Sequence, residues 1–166
     1  MCKRKTLIEI LAVAAVGTLL HFVYDWSGQN SLVGIFGAIN ESTWEHLKLL
    51  YWPVTILTII EYVKLYKGST GFLMSRFIAL FSGMFFIVTA FYTFTGIVGK
   101  PIDVFNILLY YVAVILTFFL SKLFEKNKYF EYKYSNLIAL CAFGVLAVLF
   151  TVFTFCTPSL GIFVSP

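Results

Sequence analysis

The longest uncharged stretch of the chain limits its fold more than any other sequence feature. No residue from Phe77 to Val98 carries a charge. An α-helix rises about 1.5 Å per residue, so a stretch of this length reaches across the ~30 Å hydrocarbon core of a bilayer. Lipid chains offer no partners to backbone N–H and C=O groups, and a crossing segment satisfies these groups internally when it is helical. The stretch therefore predicts a membrane-spanning helix.

Composition extends this prediction to the whole chain. Of its 166 residues, 60% are apolar and 12% are charged, about half of the roughly 25% charged residues in soluble domains. This balance excludes a disordered chain, a nucleic-acid binder and an ordinary cytosolic enzyme. We predict an all-α integral membrane protein, a bundle of five transmembrane helices in one domain over residues 1–166, with the lipid bilayer as its surroundings. The predicted spans cover about 6–24, 43–66, 72–95, 102–120 and 136–155.

Basic residues predict the orientation of these spans. With the N-terminus in the cytoplasm, ten of the 12 Lys and Arg residues lie on the cytoplasmic side, and only Lys48 and Lys100 lie outside. This asymmetry follows the positive-inside rule. Five spans then place the C-terminus outside the cytoplasm. The outer loop over 25–42 contains an apolar segment, 31–39, which is too short to cross and is expected at the interface or as a re-entrant turn covered by helices.

Polar side chains collect near the outer ends of the first two spans. His21 lies in the last turn of the first span and His46 in the first turns of the second, on either side of the outer loop. Neutral imidazole and carboxylate groups are ligands for a divalent cation such as zinc, although their spacing here matches no established metal motif. The predicted ligand-binding residues are His21, Asp25, Asn40, Glu41, Glu45 and His46, and the metal ligands among them are His21, Asp25, Glu45 and His46. In an enzyme, His46 and Glu45 are the catalytic candidates, with His46 as a general acid or base.

A structural role competes with this hypothesis. Ser42-x-x-Glu45 matches a capping box, in which Ser42 caps the helix and Glu45 reaches back to the Ser42 amide. Glu45 and Lys48 are three residues apart and can pair. Capping explains neither histidine.

Two acids near the predicted cytoplasmic side, Glu9 and Glu61, allow a second hypothesis. Acids inside a membrane are costly and often functional, so a proton or ion relay is one interpretation. The simpler interpretation pairs Glu9 with Lys5 and Glu61 with Lys64. In the third span, Ser75, Ala79 and Gly83 form a stripe of small residues, which is typical of helix packing in lipid.

The run from Asn40 to Lys48, N-E-S-x-W-E-H-x-K, resembles a family of small, uncharacterised bacterial multi-pass membrane proteins, known as a domain of unknown function. The resemblance implies a bacterial inner-membrane location and supplies no activity.

The main functional hypothesis is an extracytoplasmic pocket that binds a polar ligand or a divalent cation. A hydrolase or transferase acting on a lipid or envelope substrate is the first alternative, so enzymatic activity stays an open question. The second alternative is a transport subunit, or a structural subunit within a homo- or hetero-oligomer.

Overall fold

The computed structural model describes residues 3–165, and this range contains helices joined by turns and loops, with no strand. The predicted all-α class is therefore confirmed. Five long helices and two short ones follow one another along the chain. They are α1 (Lys3–Trp26), α2 (Ser31–Gly34), α3 (Thr43–Leu65), α4 (Phe72–Val98), α5 (Asp103–Asn127), α6 (Ser135–Phe155) and a 3-10 turn (Gly161–Phe163).

The helices expose apolar side chains and bury polar ones. On α1, Leu7 and Leu11 are more than half exposed, whereas Glu9 between them is 3% exposed. On α4, Phe85 is exposed and Arg76 is fully buried. Water would favour the opposite arrangement, because an isolated buried charge is expensive and exposed apolar surface is unfavourable. This distribution is typical of a protein surrounded by lipid.

Four helices are long and apolar enough to cross a membrane: α1 from Arg4, α4, α5 and α6. Helix α3 is not among them, since Glu45, Lys48 and Glu61 lower its hydropathy. These three side chains are all buried, because α3 packs against α1, α4, α5 and α6. The polar groups of the central helix are therefore covered by protein rather than lipid.

The outer loop folds down onto α1 and α3. The Gly34 carbonyl accepts a 2.7 Å hydrogen bond from Lys48 Nζ, and the Ile35 carbonyl accepts a 2.9 Å bond from Trp52 Nε1. Gly37 is buried so closely against α1 that an added Cβ would lie 2.9 Å from the Leu20 carbonyl oxygen. Two backbone carbonyls of the apolar segment 31–39 are thus satisfied by α3, as the predicted re-entrant turn would require, and its depth in the bilayer stays a prediction.

The small-residue stripe of α4 is a packing face, as predicted. Ser75, Ala79 and Gly83 are buried. At Gly83 a Cβ would collide with the Thr117 hydroxyl and lie 3.3 Å from the Ala113 carbonyl. The missing side chain lets α4 and α5 approach closely, as small residues do between membrane helices.

Candidate functional site

A cavity of about 460 Å³ lies between α1, α3, α4 and α5. This volume is within the range of small-molecule sites, roughly 300–1,000 Å³. Its walls are mostly apolar, and its histidines and acids are contributed by three parts of the chain. They are His21 from α1, Glu41 and His46 from the start of α3 and the loop before it, and Asp103 from the start of α5.

His46 is oriented by the backbone of its own helix. Its Nδ1 lies 2.9 Å from the Ser42 carbonyl oxygen. A carbonyl can only accept, so this contact assigns the proton to Nδ1 and leaves a lone pair on Nε2 of the neutral ring. A backbone carbonyl that fixes the tautomer in this way is a common partner of metal-binding histidines.

The lone pair on His46 Nε2 faces another acceptor. Nε2 lies 3.3 Å from Glu41 Oε2, and neither atom can donate to the other while the ring is neutral. A proton or a cation between them removes the repulsion. Zinc bonds of about 2.0–2.2 Å in a tetrahedron place neighbouring ligand atoms about 3.3–3.5 Å apart, which is the spacing observed here.

His21 supplies a third ligand atom. The rings of His21 and His46 meet edge to face with centroids 5.2 Å apart, and one ligand atom from each of His21, Glu41 and His46 lies within 4.8 Å of the other two. Side-chain rotations that bring His21 closer by about 1.4 Å or less would complete a tetrahedral set at the spacing given above. With three protein ligands, a tetrahedral ion would keep one position for water or another ligand. The arrangement suits a divalent cation with one exchangeable ligand.

Glu45 lies elsewhere, although it is adjacent to His46. Its carboxylate pairs with Lys48 Nζ at 2.6 Å and accepts bonds from the Ile39 amide and the Thr154 hydroxyl, at 2.9 and 3.0 Å. The predicted Glu45–Lys48 pair is thus confirmed. Only half of the capping box forms, because Glu45 N donates to Ser42 Oγ at 3.4 Å while the Glu45 carboxylate bonds to Ile39 instead of Ser42. Glu45 is a structural anchor for the outer loop and lines no part of the cavity.

The two remaining predicted ligands also lie outside the cavity. Asp25 is exposed, one helical turn beyond His21 and Phe22, the last α1 residues of the cavity wall. Asn40 Oδ1 accepts a 2.9 Å bond from the Ser42 amide and so supports the cap of α3. The structure brings together His21, Glu41 and His46, adds Asp103 to the same cavity, and separates Asp25, Asn40 and Glu45 from it.

The other predicted pair of acids belongs to a buried ionic network at the far end of the bundle. Arg76 of α4 reaches Glu61 of α3 at 2.6 Å and Glu9 of α1 at 3.3 Å. Lys5 pairs with Glu61 at 2.6 Å and with Glu9 at 3.5 Å. Helix α5 adds Lys122 and Glu125, which are 3.5 Å apart; Lys122 lies 3.9 Å from Glu9 and Glu125 lies 3.8 Å from Arg76. The network therefore contains three positive and three negative side chains, and their formal charges cancel.

This network corrects one prediction and confirms another. The Glu9–Lys5 pair forms, but the Glu61–Lys64 pair is wrong, since Lys64 is exposed and Glu61 turns inward to Lys5 and Arg76. Sequence reasoning missed Arg76, which was counted only as a cytoplasmic charge. The position of Arg76 in the sequence was a usable signal. It directly precedes the uncharged stretch of α4, at the same end of the bundle as Glu9 and Glu61. The relay through Glu9 and Glu61 stays a prediction.

Comparison with known proteins places the chain in a family. A family model of unknown function, DUF6512, matches residues 1–165. The chain belongs to the DUF6512 family. This confirms the predicted resemblance to an uncharacterised family. No curated protein and no solved structure matches the sequence. In this DUF6512 member, the cavity and its ligand atoms are therefore the features that indicate a function.

Proposed function

We propose that this protein is a bacterial inner-membrane protein that binds a divalent cation of the zinc type through His21, Glu41 and His46. The observation that carries the proposal is the contact between His46 Nε2 and Glu41 Oε2. The Ser42 carbonyl holds the Nδ1 proton of His46, so a metal ion can occupy the space between two acceptors that otherwise repel. The cavity beside it gives a polar ligand access to the open coordination position.

Metal content of the purified protein tests this proposal. We expect about one zinc per chain, and we expect His46→Ala and Glu41→Gln to weaken zinc affinity by more than the roughly 10–100-fold lost with outer-shell partners. Asp25→Asn is the matched control, because it neutralises another exposed acid of the same end of the bundle. Isothermal titration in detergent measures each affinity. Unchanged zinc affinity in both site variants would refute the proposal.

An enzyme is the second candidate, and the ligand count favours it. Structural zinc sites have four protein ligands, whereas catalytic zinc sites have three and leave one position for water or substrate. His21, Glu41 and His46 make three, and the open position would face a cavity that also contains the Asp103 carboxylate. A hydrolase or transferase acting on a lipid or envelope substrate fits this arrangement. Turnover of such a substrate that disappears in His46→Ala and on chelation would distinguish catalysis from binding.

We also infer that α3 is a fifth span and that the cavity faces away from the cytoplasm. Helix α3 has 23 residues, about 35 Å of helix, and its buried charges are paired, Glu45 with Lys48 on the same helix and Glu61 with α1 and α4. Reporter fusions at Gln29, before α3, and at Lys67, after α3, test both points. Opposite locations, with Lys67 cytoplasmic, support the inference; the same location for both, or Lys67 outside, contradicts it.

A further inference from the structure

The cavity reaches the side of the bundle between α1 and α5. Phe22 of α1 and Ile107 of α5 both line it, and they are 46% and 56% exposed. Further along the same seam the two helices are joined, since the hydroxyls of Thr18 and Tyr111 lie 3.2 Å apart and Tyr110 donates to the Val13 carbonyl at 3.0 Å. Both helices are apolar enough to cross a membrane. The opening near Phe22 and Ile107 therefore faces lipid.

The polar groups of the cavity indicate what kind of molecule fits. Within the described residues, those that line the cavity include two acids, Glu41 and Asp103, and no Lys or Arg. A cation bound at His21, Glu41 and His46 would supply the positive charge for an anionic group that no lysine or arginine of this lining supplies. The amide oxygen of Asn106 is buried without a hydrogen-bond partner, and the Asp103 carboxylate in the same cavity is exposed. A buried acceptor without a partner is costly, so a donor that enters the cavity would be stabilised at Asn106 and could also reach Asp103.

We propose that the cavity holds the headgroup of a phospholipid with a primary amine, of the phosphatidylethanolamine kind. The lipid phosphate would complete the coordination of the cation at His21, Glu41 and His46, and its ammonium would donate to Asp103 and Asn106. The acyl chains would leave between Phe22 and Ile107 into the bilayer. A quaternary ammonium fits less well, because it has no N–H to give to Asn106. This inference rests on the metal site proposed above.

Three properties support this class of ligand together. The wall is largely apolar, exposed apolar side chains border it between α1 and α5, and its polar groups require an anion on the proposed cation and a donor for Asn106 Oδ1. A soluble phosphate ester meets the last requirement but gains nothing from the lateral opening. Burying apolar chain surface is favourable in proportion to its area, so the intact lipid should bind more tightly than its headgroup alone.

Native mass spectrometry of the zinc-loaded protein tests the proposal. The protein in detergent is mixed with equal amounts of phosphatidylethanolamine and phosphatidylglycerol, and the bound lipid is counted, with zinc content measured on the same sample. We expect a preference of about fivefold or more for the amine lipid, the order of one partly exposed ionic contact. Asp103→Asn and Asn106→Leu should each remove most of it, and Asp25→Asn should keep it. Soluble phosphoethanolamine should compete at least about tenfold more weakly than the lipid.

Each possible result either supports or overturns the proposed lipid site. Preference in the wild type, lost in Asp103→Asn and Asn106→Leu, supports the proposal. Bound zinc with equal capture of both lipids overturns it and leaves the metal site standing, as does a preference that survives both variants. Equal competition by soluble phosphoethanolamine refutes entry from the bilayer. Zinc-free protein that still selects the amine lipid contradicts both the metal site and this inference, and absence of zinc binding refutes both at once.

Discussion

Replacing Arg76 by methionine should destabilise the bundle strongly. Arg76 is fully buried and pairs with two buried carboxylates, Glu61 at 2.6 Å and Glu9 at 3.3 Å. Methionine keeps much of the volume and removes the charge, which leaves two acids with less compensation. Breaking a buried ion pair from one side costs about 3–5 kcal/mol. Lys5 still contacts both acids, so we expect a loss at the lower end, about 3 kcal/mol.

The size of the loss can be measured in two ways. Unfolding by SDS in mixed micelles, followed by circular dichroism, gives the free energy of unfolding. In thermal unfolding, the melting temperature should fall by about 6–12 °C, since each kcal/mol shifts the melting temperature of a chain of this size by about 2–4 °C.

Two further variants separate charge from packing. Adding Glu61→Gln to Arg76→Met removes one negative charge, so the remaining charges of the network cancel again, and it should restore about 1–2 kcal/mol. Lys64→Met is the matched control, because Lys64 is an exposed basic residue at the end of α3 nearest to the network. Its substitution should change the free energy of unfolding by no more than about 0.5 kcal/mol. If Arg76→Met unfolds like Lys64→Met, or if the second substitution adds further loss, the ionic explanation of this network is wrong.

Three other substitutions probe the contacts that position the cavity. Lys48→Met should cost about 3 kcal/mol, because it leaves Glu45 buried without its 2.6 Å partner, and faster proteolysis of the outer loop would accompany it. Tyr51→Phe should cost about 1 kcal/mol, measured by the same unfolding titration, since it removes the hydroxyl that donates a 2.6 Å bond to a carbonyl of α6. Gly83→Ala should cost about 1–3 kcal/mol through its collision with Thr117, and Thr117→Ala in the same chain should recover most of it.

The fold class was predictable because lipid and backbone hydrogen bonding leave few choices. An uncharged run such as the one over 77–98 can satisfy its backbone only as a helix, and α4 covers Phe72–Val98. The interior of the bundle was less accessible to sequence reasoning. Spacing along one helix suggested Lys64 as the partner of Glu61, yet the partners are Lys5 and Arg76 on other helices. Which helices meet, and at what depth, is a tertiary property.

The candidate site shows the same division between local and tertiary information. The sequence indicated that His21 and His46 are brought together by one short loop, and their rings are in contact. Spacing could not decide between Glu41 and Glu45. Because Ser42 caps α3, Glu45 falls within the first turn and bonds to the loop, whereas Glu41 precedes the cap and reaches His46.

Asp25 was misleading for a related reason. A separation of four residues fixes the angle between two side chains on a helix, but it also moves the second about 6 Å along the axis. The cavity wall on α1 includes His21 and Phe22, and Asp25 lies one turn beyond them, exposed. The acid that replaces it, Asp103, comes from the start of α5, which only the packing of α5 against α1 brings near.

The three polar clusters of the bundle differ in one property that bears on function. In the network around Arg76, three positive charges meet three negative ones, and Glu45 has Lys48 beside it. Removing a proton or adding an ion to either would leave a buried charge uncompensated, which is costly. At His46 and Glu41, by contrast, two acceptors face each other beside an accessible cavity. Only this third cluster gains from an added cation, and this is why the proposed chemistry is assigned to it rather than to Glu9 and Glu61.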